Sequence, residues 1–330
     1  MRKIVIVDLM KTISLIFCLM LALTTMAIAL DYPTKTIQII VPYPPGGTND
    51  ITARILDTKL ASLLGQSVIV VNKPGGGGAV GIKFASTAKP DGYTILTSPP
   101  GIVMIPILTP GIGFKLEDFI PIGLAVSIPS VITVKADAAW KTLSDLIQDA
   151  KRNPGKLTYS TAGPGTTPHF AGELLKIEIG TDIVHVPMGG EAPAVTGILG
   201  GHVNLTFVSL GAVSEHLKAG TLRALALMYP MRIKDFPDIP TTKELGYPKL
   251  MTTAWHGYFF PAKTPKEIVV KVAKAFETAL KDKEVIGRIE KAGMLVEGMI
   301  LEEANKFFQD EEKKWSEVAK KAKMVEGERK

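Results

Sequence analysis

Ile37-Gln38-Ile39-Ile40-Val41-Pro42-Tyr43-Pro44-Pro45-Gly46-Gly47-Thr48-Asn49-Asp50 runs a buried-strand signal into a Pro/Gly turn and then into a helix that reaches about Leu64. A strand-to-helix junction of this kind aims unpaired backbone N–H groups and the positive end of a helix dipole at one point in space. It suits a bound anion, and a carboxylate above all.

Outward from this junction, strand and helix signals alternate. Strands are expected at Ile37 to Val41, Ser67 to Val71 and Tyr93 to Thr97, with helices at Ile51 to Leu64 and Ala79 to Ala88, and Gly or Pro at almost every joint. A second set follows: strands at Val131 to Val134, Leu157 to Ser160, Ile183 to Val186, Val203 to Val208 and Ala224 to Leu227, with helices at Leu143 to Lys151, Pro168 to Ile179 and Ala192 to Leu199. This order predicts an α/β fold of two doubly wound lobes, each a largely parallel sheet covered by helices. In the C-terminal third, Pro265 opens a helix with Ile268, Val269, Val272, Phe276 and Leu280 on one face, and Glu303 to Lys323 forms a charged amphipathic helix burying Phe307, Phe308, Trp315 and Val318. Both are structural, since the lysines of the last helix alternate with Glu311, Glu312 and Glu317 as on a solvated face.

At the N-terminus, Lys11 precedes an uncharged apolar run from Thr12 to Ala29 that closes on Ala27-Ile28-Ala29. This small-x-small ending marks a cleaved signal peptide over residues 1–29, with translation starting at Met1 or Met10, and predicts export to the periplasm. A retained anchor lacks its positive flank after Ala29, and Leu15-Ile16-Phe17 before Cys18 does not fit a lipid attachment site. Cys18 is the sole cysteine, so the exported chain has no disulfide, thiol nucleophile or cysteine metal site. With 46% apolar residues in 330, the chain has ample material for a core, and a net charge of +6 is too small and dispersed for a phosphate backbone. No nucleic-acid partner, metal or cofactor is expected.

Three more junctions repeat the opening pattern. Gly76, Gly78 and Gly81 satisfy a dinucleotide G-x-G-x-x-G, but the next strand ends in Thr97-Ser98-Pro99 with no carboxylate for a ribose. These glycines are expected to permit close helix packing instead. In Tyr159-Ser160-Thr161-Ala162-Gly163-Pro164-Gly165-Thr166-Thr167-Pro168-His169, Thr166 or Thr167 would cap the helix, and a hydroxyl there with the amides of Gly163 and Gly165 would reach a ligand from the second lobe. His185-Val186-Pro187-Met188-Gly189-Gly190-Glu191 is the last. If their strands run in parallel, the turns gather at the carboxyl edges of the sheets, where α/β proteins hold ligands.

The rival class is a secreted hydrolase-like enzyme acting on a small anion. No G-x-S-x-G elbow supports it, and His169, His185, His202, His216 and His256 form no H-E-x-x-H or i,i+4 pair. Asn204-Leu205-Thr206 matches a glycosylation acceptor only by chance, inside an apolar strand.

The motifs Val41-Pro42-Tyr43-Pro44-Pro45-Gly46-Gly47-Thr48-Asn49-Asp50, Asn72-Lys73-Pro74-Gly75, Asp91-Gly92-Tyr93-Thr94, Asn153-Pro154-Gly155-Lys156, Gly163-Pro164-Gly165-Thr166 with His169, His185-Val186-Pro187 and Gly200-Gly201, in this order, closely resemble the Bug-type solute receptors of tripartite tricarboxylate transporters. The resemblance spans Asp31 to about Trp315. It implies a monomeric extracytoplasmic receptor of type II periplasmic binding protein fold that passes a small carboxylic acid to membrane permease subunits. Lobe I would comprise 31–128 and 229–330, and lobe II 129–228. Tyr43, Gly46, Gly47, Thr48 and Asn49 would form the first carboxylate clamp, with Thr97 and Ser98 lining the cleft beside it. Thr161, Gly163, Thr166 and Thr167 would form the opposing clamp. Asp50 is assigned to structure and His169 to the lobe core. Met188-Gly189-Gly190 stands where the family has Tyr-Lys-Gly, and Asn204 where it tends to have Asp. Met188, Gly189 and Asn204 are therefore counted as ligand contacts that favour an acid without an amine.

Overall fold

The computed structural model describes residues 31–325, and the expected export segment at 1–29 lies outside the described residues. Residues 31–34 form neither helix nor strand; the architecture that follows is that of residues 35–325. In chain order the elements are β1 (Ile37–Val41), α1 (Thr48–Leu64), β2 (Val68–Asn72), α2 (Ala79–Ser86), β3 (Thr94–Ser98), α3 (Gly101–Leu108), β4 (Phe119–Pro129), β5 (Val131–Lys135), α4 (Leu143–Arg152), β6 (Thr158–Thr161), α5 (Thr167–Ile179), β7 (Val184–Pro187), α6 (Glu191–Leu199), β8 (Leu205–Thr206), α7 (Leu210–Lys218), β9 (Leu222–Leu227), β10 (Thr253–Pro261), α8 (Lys266–Leu280), α9 (Lys283–Lys291), β11 (Leu295–Ile300) and α10 (Leu301–Lys321).

They build a six-stranded sheet in the order β11-β4-β10-β3-β1-β2 and a five-stranded sheet in the order β7-β6-β8-β5-β9. β1 is parallel to β2 and β3, and β6 is parallel to β7 and β8, so the turns after these strands fall on one edge of each sheet. The sheets are mixed rather than largely parallel: β10 runs against β3 and β4, β11 against β4, and β5 against β8 and β9. The reason is connectivity, because only Ser130 separates β4 from β5, and β10 returns from the C-terminal third to insert between β3 and β4. A strand that enters a sheet this way is not bound by the parallel crossover rule.

β1 buries Ile37, Ile39, Ile40 and Val41 because helices cover both faces of its sheet. α1 turns Ala53, Ile55, Leu56, Leu60 and Leu64 inward and stops at Gly65, whose left-handed φ of 71° returns its N–H to Ala61 O. β10 (Trp255-His256-Gly257-Tyr258-Phe259-Phe260) is buried on both faces, which removes the alternation a half-exposed strand would show. α3 (Gly-Ile-Val-Met-Ile-Pro-Ile-Leu) is apolar on every side and contains Pro106, so it shows no helical period either. Two segments join the sheets, Ser127–Val131 and the chain after Leu227, and they are tied by Met228 N donating to Ser130 O at 2.9 Å. Beyond Leu227 the chain stays beside β9, with Thr242 N bonding Leu227 O at 2.8 Å, before it enters β10. The apolar core also crosses between the layers, where Trp315 of α10 meets Phe170 of α5 edge to face at 5.2 Å.

Candidate functional site

Val41 delivers the chain to the turn at residues 42–47. α1 begins directly after Gly47 with no side-chain cap, and its first intrahelical bond is Ile51 N to Gly47 O. The amides of Thr48 and Asn49 therefore point out of the helix end, beside that of Gly47. Gly46, Gly47 and Thr48 are exposed. What holds this turn is Asp50: its carboxylate accepts Gly46 N at 3.0 Å, Asn72 Nδ2 at 2.9 Å and Arg54 Nε at 3.0 Å, and Asn72 Nδ2 also reaches Tyr43 O at 3.0 Å. Burial acts to raise the Asp50 pKa, but the bonds from Arg54, Gly46 and Asn72 together hold it below the usual carboxylate value.

Asn49 is buried and donates Nδ2 to Thr97 Oγ1 at 3.0 Å, while its Oδ1 has no hydrogen-bond partner among the described residues. Amide oxygen and nitrogen exchange by a half-turn, in which case Oδ1 accepts the Thr97 hydroxyl and the NH2 takes the position without a partner. Thr97 and Ser98 are both fully buried, and Ser98 donates to Pro99 O at 2.9 Å. Contrary to expectation they do not line an open surface; Thr97 supports Asn49 from below. Tyr43 is half-buried, burial pushes its hydroxyl up to about 12, and that hydroxyl fills the space a side chain at Gly78 or Gly101 would need, with a Cβ there only 2.7 and 2.9 Å away. A Cβ at Gly81 would lie 2.7 Å from Lys73 O. The glycine run is thus a packing device, as its reading against nucleotide binding expected.

Beneath the helix start lies a residue that sequence reasoning passed over. His256 of β10 is buried between Thr48 Oγ1 (3.4 Å from Nε2) and Thr52 Oγ1 (2.9 Å from Nδ1), and burial pushes its pKa down to about 3. Some 208 residues separate it from Thr48, and no local motif could reveal the contact.

On the second sheet, Thr161 ends β6 opposite Pro187 of β7, and Met188 N donates to Thr161 O at 3.0 Å. The turn 161–167 differs from expectation in its donors. Gly163 N donates to Thr161 Oγ1 at 3.0 Å and Gly165 N to His169 Nδ1 at 3.2 Å, so both amides are occupied within the loop. Thr166 sits at the helix N-cap but accepts no amide there; its hydroxyl donates to Gly163 O at 2.7 Å. Pro168 has no N–H, which leaves Thr167 N as the outward amide of α5. Gly165 also faces the other layer, since a Cβ on it would come within 3.1 Å of Leu108 Cδ1.

Two expected contacts lie elsewhere. Asn204 precedes β8 at its amino end, where Oδ1 accepts Thr158 N at 2.8 Å and Thr158 Oγ1 at 3.1 Å. Thr158 opens β6 and Thr161 closes it, so Asn204 stands about 10 Å from the turn edge at the strand rise per residue. It pairs two strand starts, and its identity says nothing about a ligand amine. Met188 folds back on its own layer, its methyl 2.8 Å from where a Gly197 Cβ would be, and lines a groove of about 670 Å³ with Ala192, Pro193, Thr196 and His202. Gly189 is exposed with φ 76°, in the turn after β7. Among the described residues no group of three or more His, Cys, Asp or Glu could hold a metal, and no helix is long and apolar enough to cross a membrane.

Two α/β layers joined by two crossovers, with glycine turns at the carboxyl edges, define a periplasmic binding protein of the two-lobed type II kind, and solved structures of this fold align over most of the chain. Residues 52–324 match the model of the tripartite tricarboxylate transporter family receptor, and the chain belongs to that family. BugT of Bordetella pertussis is 34% identical over 293 residues, covering 88% of this chain and 90% of that protein. A protein of R. palustris solved with adipate is 29% identical with a TM-score of 0.76, over 89% of this chain and 99% of its own. MatC of Rhodopseudomonas palustris, with bound malate, is 27% identical with a TM-score of 0.73, over 87% of this chain and 99% of its own. The family is one of solute-binding receptors and not of enzymes, which removes the hydrolase alternative.

Proposed function

We propose that this chain is a periplasmic receptor, exported by cleavage near Ala29, that captures a small dicarboxylic acid and passes it as a monomer to the permease of a tripartite tricarboxylate transporter. The observation that carries the reading is the helix end with Gly47 and Thr48 exposed, where the amides of Gly47, Thr48 and Asn49 have no hydrogen-bond partner among the described residues while Asp50 fixes the turn behind them. Adjacent to it, the buried Asn49 side chain has one amide atom unpartnered, a group that a carboxylate would satisfy in its NH2-outward setting. The relatives solved with adipate and malate support a dicarboxylate as the ligand class.

In this reading one carboxylate binds the first turn and the second meets Thr167 N and the loop 161–166 from lobe II (129–228). An acid that bridges both stabilises the closed lobes more than the open ones. Bending would fall on the two joining segments, where Glu297 accepts the hydroxyls of Ser127 at 2.5 Å and Tyr229 at 3.0 Å. The test is a thermal-shift screen over mono-, di- and tricarboxylates: a ligand at a hundred times its dissociation constant adds about 2.7 kcal/mol to stability. A panel in which no dicarboxylate raises the melting temperature would remove the ligand class.

A further inference from the structure

We infer that His169 and His185 are positioning residues of the second-lobe loop, and that His169 holds it only as a neutral imidazole. The ligand consequence rests on the receptor reading above; the positioning itself does not.

The two rings stack at 4.2 Å between centroids, 23° from parallel, and His185 stacks in turn on Tyr159 at 4.9 Å. His169 directs one nitrogen at a glycine of the loop, and His185 directs one at the Thr161 hydroxyl. Gly165 N donates to His169 Nδ1 directly, which requires that nitrogen to be unprotonated. For His185 the link runs through Thr161. Its hydroxyl accepts Gly163 N at 3.0 Å and lies 2.7 Å from His185 Nε2, so the chain closes as Gly163 N–H to Thr161 O–H to His185 Nε2, with the imidazole proton on Nδ1. Gly165, at φ 78°, is therefore anchored on an imidazole lone pair, and Gly163, at φ 145°, on a hydroxyl that lies against the second imidazole. Glycine adopts those backbone settings at no steric cost, but many others as well, so the hydrogen bonds select among them.

Protonation breaks the His169 anchor and reorients the hydroxyl beside His185. An Nδ1–H on His169 would face the Gly165 N–H, donor against donor. An Nε2–H on His185 would instead donate to Thr161 Oγ1, which can accept it together with the Gly163 N–H but must then send its own proton towards Gly163 O, at a poor 3.5 Å. Two imidazolium rings at stacking distance would also repel. The surroundings are balanced rather than strongly acidic. Glu173 accepts Tyr159 Oη at 2.8 Å and favours a charged His185, while Lys176, paired with Glu173 and Asp182 at 3.0 and 3.1 Å, opposes it. Burial is the largest influence on His185 and lowers its pKa, in keeping with a neutral ring at neutral pH. The apolar neighbours of this corner are Phe170 and, through it, Trp315.

Amide hydrogen exchange on the ligand-free full chain tests the positioning. Protection factors, which remove the intrinsic pH dependence of exchange, should fall about tenfold at Gly165 between about pH 7.5 and about pH 5.5, in step with the ring titration followed on the same sample, and should change less at Gly163. His169→Asn sets an oxygen where Nδ1 stands and cannot take a proton, so Gly165 should then stay protected across that range. His169→Phe keeps the stacking area without the acceptor, and Gly165 should lose protection at every pH. Glycine protection that ignores the ring titrations, or is equal in the Asn and Phe variants, overturns the inference. In a second arm, calorimetry with malate should show affinity falling at least about tenfold over the same interval, and by less than about threefold in the His169→Asn, His185→Gln double variant, whose side chains keep both acceptors. Equal losses in the two proteins would sever the loop from binding. If malate and the other acids of the panel bind at neither pH, the receptor reading fails while the exchange data still decide the positioning.

Discussion

The turns after β1 and β6 look alike in sequence, Pro-Pro-Gly-Gly-Thr and Gly-Pro-Gly-Thr-Thr, yet they are built on opposite electrostatic plans. The first is fixed by an ionised group: Asp50 draws Gly46, Asn72 and Arg54 together and leaves the amides of Gly47, Thr48 and Asn49 open. The second is fixed by neutral groups, with the amides of Gly163 and Gly165 closed on Thr161 and His169. A helix N-terminus is thus an anion seat only where the local side chains leave its donors unoccupied. On this account the first turn is the seat, and the second is a gate that shapes the other wall.

The largest effect that tests this asymmetry is Gly47→Asp. A side chain at Gly47 meets nothing within 4 Å and its backbone is extended, so the variant should fold with near-normal stability. Its carboxylate would occupy the open amides and repel a bound acid. Calorimetry should show binding lost beyond detection; unchanged affinity would move the seat elsewhere. Next in size is Asp50→Ala, which strands the Gly46 amide, the Asn72 side chain and the Arg54 guanidinium. Removing a buried charged acceptor of this kind costs about 3 kcal/mol of stability in urea unfolding, and affinity should fall with it. A cost under about 1 kcal/mol would mean that the turn holds itself.

How much of this was legible follows the same division. The β1-to-α1 junction announced itself because an apolar run, a Pro/Gly break and a helical period lie within one short stretch, and the seat residues are neighbours in sequence. The second turn was recognisable as a turn, but its hydrogen bonds were not, since a glycine amide shows no sign of whether Thr161 or His169 already holds it. Asn204 was misplaced because spacing along the chain cannot tell the two ends of a four-residue strand apart. β10 and α3 were missed because a strand buried on both faces and a helix apolar on every side have no hydrophobic period, and with β10 went His256, the support beneath Thr48.

That buried histidine sets the third prediction. In the fold the His256 pKa is about 3, far below the ordinary 6.5, so the ring stays neutral where the unfolded chain takes up a proton. Stability is complete above about pH 6.5 and falls as the pH drops below it, by on the order of 1 kcal/mol per pH unit, until the folded value is reached. His185, lowered in the same direction by burial, adds to the slope. Urea unfolding between about pH 6.5 and about pH 5, above the range where most carboxylates titrate, should show this slope, and His256→Gln should remove most of it. A slope that survives the substitution would assign the acid sensitivity to the second turn instead.

The smallest effect separates the two turns most finely. Thr48 and Thr166 both stand at helix starts, one as the first helical residue and the other as the N-cap, but the Thr166 hydroxyl is committed to Gly163 O, and a hydroxyl with one proton cannot donate to a ligand at the same time. Thr166→Ala should therefore cost about 1 kcal/mol of stability, the worth of one neutral hydrogen bond, and weaken binding less than about fivefold through the loosened loop. If affinity instead drops about a hundredfold while stability is unchanged, the hydroxyl turns to the ligand on closure, and the second turn is a seat of the same kind as the first.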